Sequence, residues 1–302
     1  MTRHLLEVVD LSAAEVGEVM ALAKQPVAEL GRPLDGRGAA LIFEKPSTRT
    51  RHSTEVAVFQ LGGHPVYARG EEIGMDVRET VEDVVRILQG YHAVIAARVF
   101  DHEVLTRMAS VATVPVVNLL SDRAHPLQAL ADALTMEEAF ESLEGRVVAW
   151  VGDYNNVARS LGEVCALLGA HVRFACPVDF GADEAELERL TLLGAASVSH
   201  SHRPSEAVAG ADAVHADTWV SMGQEDDKAA RKQAFEGFTV DADLMALADP
   251  HAVFMHCLPA YRGIEVAAEV IDGPRSVVFR QGHLRLAAAR AALAFLLQTA
   301  AP

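Results

Sequence analysis

Short, largely apolar runs spaced along the chain by helical patterns constrain its fold more than any other feature. Residues 39–43, 93–97, 114–120, 147–151, 172–175 and 253–255 are such runs. A strand with one face in water alternates apolar with polar residues, whereas a strand covered on both faces does not. These runs therefore predict parallel strands under helices on both faces, the doubly wound α/β class. Ser12 and Glu15 make a capping-box pattern ahead of Val16, Val19, Met20 and Ala23, which predicts an opening amphipathic helix. A closing helix rich in alanine and leucine is expected over residues 284–298, packed on a core. The chain has 302 residues, and single cores stop growing near ~250–300 residues, so two domains are expected. The acidic stretch 137–145 falls between a helical pattern and the next strand, and the junction is placed there.

Charge narrows the partners. Acidic residues outnumber basic ones by 42 to 26, for a net charge of −16. A field of that sign disfavours nucleic acid, and an anionic substrate must be held by a local cluster of positive groups. Cys165, Cys176 and Cys257 share no C-x-x-C spacing, which argues against a disulfide framework or a zinc site. The apolar stretch 286–297 is broken by Arg290 and is shorter than the ~20 residues a bilayer demands, so no membrane span is expected. With no targeting pattern at the start, a cytoplasmic location is expected.

The residues able to do chemistry follow strands, where open parallel sheets bind ligands. Ser47-Thr48-Arg49-Thr50-Arg51 comes after the run ending at Phe43 and opens a helix expected to run through Val56, Ala57 and Phe59 to Gly62-Gly63. Free N–H groups at a helix start, three hydroxyls and a guanidinium make an oxyanion cradle. The same residues also make an ordinary helix cap with two solvated arginines. His125-Pro126-Leu127-Gln128 follows the run ending at Leu120; proline starts the helix, and His125 and Gln128 share a face at its exposed end. Such a pair can polarise a carbonyl and hold an amide, or simply cap. Arg98 closes the run 93–97 and is either a surface arginine or aimed at the same crevice.

Gly152-Asp153-Tyr154-Asn155-Asn156 stands where a dinucleotide fold would carry G-x-G-x-x-G. Its two amides suit an amino-acid carboxylate better than a pyrophosphate. Asp217, in Asp217-Thr218-Trp219-Val220-Ser221-Met222-Gly223, is an ordinary loop carboxylate or a partner for an ammonium group. His256-Cys257-Leu258-Pro259 follows the run 253–255. Neighbouring side chains on a strand point to opposite faces, so a polar contact suits Cys257 better than activation by His256.

Taken together, residues 43–51, 125–128, 217–225 and 256–260 resemble, in order and spacing, the aspartate/ornithine carbamoyltransferase family, and within it the ornithine branch. The resemblance spans essentially the whole chain. It implies two parallel-sheet domains joined by interdomain helices: residues 1–136 binding carbamoyl phosphate, with a C-terminal helix (285–302) packing back on them, and residues 137–284 binding L-ornithine. By matched position it implies that Ser47, Thr48, Arg49, Thr50, Arg98, His125 and Gln128 hold carbamoyl phosphate. Asn156, Asp217, Ser221 and Met222 would hold ornithine, and Cys257, Leu258 and Arg285 would close the site. Arg49, Arg98, His125, Cys257 and Arg285 would form the catalytic set. It also implies a homotrimer, with neither metal nor organic cofactor.

Two features depart from the family pattern. Relatives usually carry an acidic, asparagine-containing run before the arginine matched by Arg285, where this chain has Arg280-Gln281-Gly282-His283-Leu284. Glu71 stands where the ornithine branch commonly has glutamine, and it is left out of the site. The rival expectations are carbamoyl transfer to aspartate, putrescine or an acetylated ornithine, and a catalytically silent relative. Asp217 speaks against aspartate, whose side chain calls for a cation there. The physiological direction, arginine synthesis or breakdown, stays open.

Overall fold

The computed structural model describes residues 2–220 and 228–299. They form two compact units: residues 2–131 with 284–299, and residues 132–220 with 228–283. The first division falls at 131/132, within a helix that runs unbroken from Pro126 to Phe140.

The first unit opens with α1 (Ala13–Lys24), capped as its pattern predicts: Ser12 accepts the Glu15 N–H and Glu15 returns a bond to the Ser12 N–H. The chain then alternates β1 (Gly38–Phe43), α2 (Thr48–Gln60), β2 (His64–Arg69), α3 (Val81–Leu88), β3 (His92–Arg98), α4 (His102–Val111) and β4 (Val116–Leu120). The strands form one parallel sheet in the order β2-β1-β3-β4. Strand β4 starts two residues later than its apolar run, because Pro115 has no N–H to give a ladder. Beside it, Leu5 pairs with Val117, donating to the Val116 carbonyl and accepting from the Asn118 N–H.

On one face of this sheet Ala40, Ile42, Ile95, Ala97 and Val116 pack with Val81 and Val85 of α3 and Leu105 and Met108 of α4. The intervening residues Ala39, Leu41 and Phe43 are buried too, which is why the run shows no alternation. Helix α5 (Pro126–Phe140) follows β4.

The second unit has the parallel sheet β7-β6-β5-β8-β9, made from β5 (Val147–Val151), β6 (His171–Ala175), β7 (Ser197–Ser201), β8 (Ala213–Ala216) and β9 (Val253–His256). Its helices include α6 (Asn156–Leu167) after β5, α7 (Glu184–Leu193) before β7 and α8 (Lys228–Ala234) between β8 and β9. Val151, Val214, Ala216 and Phe254 pack with Phe235 and Phe238 on one face. The last helix, α9 (Val278–Thr299), starts in the second unit and from Leu284 onward belongs to the first. There its Arg290 is buried and donates to Gln60 and to the carbonyl of Ala23, in the last turn of α1 where a cation is favoured. Among the described residues no helix is long and apolar enough to cross a membrane.

Three of these strands are not marked by an apolar run: β2 contains Pro65 and is half exposed, β7 is polar, and β8 is only four residues long with His215 among them. Helix α2 follows the expected path, but Val56 and Phe59 face solvent rather than the core. Ile95 lies at the centre of the first sheet, fully buried. Ile95→Ala should lower stability by about 2–5 kcal/mol; a shift in urea denaturation equivalent to less than about 1 kcal/mol would contradict this packing.

Candidate active site

Strand order reverses once in each sheet, between β1 and β3 and between β5 and β8, and ligands bind where such reversals open the strand ends. In the first unit Phe43 pairs with Arg98 across the reversal. Glu44 locks the two ends: its N–H donates to the Arg98 carbonyl and its carboxylate accepts the Phe100 N–H. Ser47 caps α2, its hydroxyl accepting the Thr50 N–H at 3.3 Å and donating to Thr50 Oγ1 at 3.0 Å. The two arginines of the motif part company. Arg51 is bound to Glu55 and lies 3.6 Å over the Tyr67 ring, whereas Arg49 is half-buried with no partner for its Nε. Arg98 is buried rather than at the surface, and Thr48 is exposed at the helix start.

His125 and Gln128, expected at an exposed helix end, are both buried. The turn that carries them hangs on Asn118, whose amide donates to the carbonyls of Leu6 and Ala124 and to the Ser121 hydroxyl. Arg285 comes to the same place on α9: its Nη2 donates to Thr50 Oγ1 at 2.7 Å and lies 3.3 Å from His125 Nε2. An N–H faces that nitrogen, so Nε2 holds a lone pair and the ring proton sits on Nδ1. Burial, then the Arg285 and Arg98 charges, hold the His125 pKa well below the ordinary histidine range. The imidazole is neutral.

In the second unit the reversal sets Val151 against Ala216, so the turn after β5 meets the residue after β8. Asn155 caps α6, accepting the N–H groups of Val157 and Ala158, and its amide nitrogen donates to Asp217 Oδ2 at 2.9 Å. The other oxygen of Asp217 receives the Thr218 N–H at 2.8 Å and the Cys257 thiol at 3.1 Å. Asp217 is thereby buried and oriented by three donors. Asn156, the amide expected to meet substrate, is the first residue of α6 and half-buried; the amide on Asp217 is that of Asn155. Arg231 ties the loop to its surroundings, donating to Asp153 Oδ2 and the Trp219 carbonyl. Ser221 and Met222 lie outside the described residues.

His256 and Cys257 are closer than opposite strand faces imply: with Asp217, their possible ligand atoms lie within 4.8 Å of one another. Bonding keeps them apart chemically. His256 Nδ1 accepts the Leu258 N–H at 2.9 Å, its Nε2 faces Glu265 at 3.4 Å, and the thiol donates to Asp217. That Leu258 bond also holds a leucine at a φ of 58°, in the left-handed region that costs about 1–3 kcal/mol outside glycine.

The geometry leaves two half-sites, one an anion cradle and the other built round a carboxylate. Residues 3–138 match the family model described as the aspartate/ornithine carbamoyltransferase carbamoyl-P binding domain, and residues 144–296 match that of the Asp/Orn binding domain. The chain belongs to the aspartate/ornithine carbamoyltransferase family. Within the family, a protein of Thermus thermophilus named ornithine carbamoyltransferase is 46% identical over 99% of this chain and 98% of its own. One of that name from Acidothermus cellulolyticus is 47% identical over 99% and 98%. The ornithine carbamoyltransferase structure from Pyrococcus furiosus superposes with a TM-score of 0.93 at 42% identity, over 99% of this chain and 98% of that one. Coverage of both lengths extends the likeness through both half-sites.

The buried His125 has a consequence for acid stability. Below its ordinary pKa the unfolded chain takes up a proton that the folded chain refuses, so stability falls with pH by up to about 1.4 kcal/mol per unit for this group. His125→Gln, which keeps a hydrogen-bonding side chain but cannot titrate, should make the loss between about pH 6.5 and 5 shallower. Parallel acid limbs in urea titrations of the two proteins would show that His125 is not held neutral.

Proposed function

We propose that this chain transfers the carbamoyl group of carbamoyl phosphate to the side-chain amine of L-ornithine, giving L-citrulline and phosphate. The observation that carries this reading is Asp217: a buried carboxylate, oriented by three donors at the strand-order reversal, is a receptor for an α-ammonium group. The ornithine carbamoyltransferase names of relatives aligned end to end support the same acceptor.

Residues 1–136 with the closing helix form the carbamoyl-phosphate side, and residues 137–284 the ornithine side. Ser47, Thr48 and Arg49, at the start of α2, receive the phosphate together with Arg98. Positive charge there offsets the repulsion of the chain's net charge of −16. Arg285 and Thr50 donate to the carbonyl oxygen, and His125 completes the set as a neutral imidazole, which in either ring orientation has one N–H to give. Gln128 receives the carbamoyl NH₂ group. On the ornithine side, Asp217 and Cys257 bind the α-ammonium while Asn156, Ser221 and Met222 meet the rest of the amino acid, with Leu258 closing over the carbamoyl group.

The uncharged side-chain nitrogen attacks the carbonyl carbon. Charge gathers on the carbonyl oxygen, the bond to the phosphate oxygen breaks, phosphate leaves with that electron pair, and the proton the nitrogen gives up goes to the departing phosphate. The protein contributes fixed donors and proximity. A neutral His125 suits this role, since it adds a donor without a proton for the attacking amine to compete with.

The working form is a homotrimer, a reading supported by apolar side chains that the first unit leaves in water, among them Phe59, Val77 and Tyr91. We place the enzyme in the cytoplasm, where three cysteines outside any disulfide are at home.

Arg49→Ala should weaken carbamoyl phosphate binding by about tenfold or more, because a phosphate in an acidic protein loses its forked partner. Calorimetry giving wild-type affinity would remove Arg49 from the cradle. The acceptor is tested by turnover with ornithine, putrescine, aspartate and acetylornithine. Ornithine should lead in kcat/KM, and Asp217→Asn should reduce that lead by about 2–5 kcal/mol. Comparable use of any other acceptor by the wild type would sink the ornithine assignment while leaving the cradle intact.

A further inference from the structure

Gln281 belongs to the segment that departs from the family pattern, and it is fully buried near the start of α9. Its side-chain oxygen accepts the main-chain N–H of His256 at 2.9 Å. Its nitrogen donates to Asp132 Oδ1 on α5 at 2.6 Å and lies 3.1 Å from His215 Nε2. These partners determine which end of the carboxamide is which, because a main-chain N–H only donates and a carboxylate only accepts. His215 Nδ1 faces the Ala216 carbonyl at 3.1 Å, so its proton sits there and Nε2 is the acceptor. Both N–H groups and the oxygen of Gln281 are therefore used.

The positions of these partners give the side chain its significance. His215 lies on β8 and His256 closes β9, with Ala216 paired to His256. Asp217 follows β8 directly, and Cys257 follows β9 directly. One carboxamide thus joins the ends of the two strands that deliver the carboxylate and the thiol, which themselves meet at 3.1 Å. Asp132 anchors it from α5, and the neighbouring Arg280 adds a two-pronged ion pair to Glu138 on the same helix.

We infer that Gln281 is a positioning residue for the acceptor amine, holding the ends of β8 and β9 at the spacing from which Cys257 orients Asp217. The inference rests on the ornithine-site reading above. A leucine of similar size offers no polar atom, and an ionised glutamate offers no N–H. Arg285, one turn further along α9, has its own hold on Thr50 and His125, so carbamoyl phosphate binding should be spared.

Gln281→Leu should raise the KM for ornithine about tenfold or more and lower kcat, while the Kd for carbamoyl phosphate, measured by calorimetry, stays within about twofold. An unchanged ornithine KM, or equal loss for both substrates, overturns the inference. If that variant fails to fold, Gln281→Glu decides. The introduced carboxyl lies against Asp132, with His215, His256, Glu265 and the Arg280–Glu138 pair as the other titratable or charged groups around it. Two carboxyls there hold together only while they share a proton, so kcat/KM for ornithine should fall with rising pH relative to the wild type. Superimposable pH profiles would refute the positioning role. Wild-type turnover with ornithine is measured alongside: its absence defeats the ornithine-site reading, and its presence beside unaltered variants defeats only the role of Gln281.

Discussion

A parallel sheet sends the C-terminal end of every strand to the same edge, and a reversal of strand order leaves a gap there with no crossover helix above it. Both units of this protein are governed by that constraint. The pairings Phe43 with Arg98 and Val151 with Ala216 place residues far apart in sequence beside one another at each gap. Helix starts at Thr48 and Asn156 open beside these gaps, capped by Ser47 and Asn155. The side chains that follow have little freedom, since each is tied to a strand buried on both faces. Rigidity of this kind is what fixed donors need if they are to act without first reorganising.

Within that frame, partners decide which polar groups remain available. Two neighbouring arginines begin with equal standing, but Glu55 and Tyr67 claim Arg51, leaving Arg49 the only arginine of the motif without such ties. Asp217 is a buried anion whose three donors set its direction without cancelling its charge. Positive Arg98 and Arg285 sit beside a histidine kept neutral by burial and by their own charge. In each case a strong charge is retained and a competing one is paired or suppressed.

Most interior strands were legible because burial on both faces writes itself as a largely apolar run, and the helix starts because Ser12, Ser47 and Pro126 are chemical signals in their own right. The edge strands β2 and β7 were not, since half-exposed strands tolerate Pro65 and a run of serines and histidine. Strand β8 was hidden by His215, whose polarity is met by Trp150 stacking and by Gln281, partners distant in sequence. The motif residues of the two half-sites could be named from order and spacing. Asn118 and Gln281 could not, because their significance lies wholly in distant bonds, and neither lies in a recognisable motif. Two adjacent amides illustrate the limit: their order in the chain does not say that the Asn155 amide turns to Asp217.

The division of the chain also bears on how it is made. Residues 132–283 are contiguous, and every strand of their sheet is available once they have left the ribosome. The first unit, although synthesised earlier, is incomplete until residues 284–299 arrive to bury Ala288, Ala292 and Phe295 and to bring Arg290 to the end of α1. Nascent chains usually finish their N-terminal domain first. Here the second unit can complete its fold while the first still waits with part of its apolar surface uncovered, so the interval before the last helix emerges is when the growing chain is most exposed to aggregation and to chaperones.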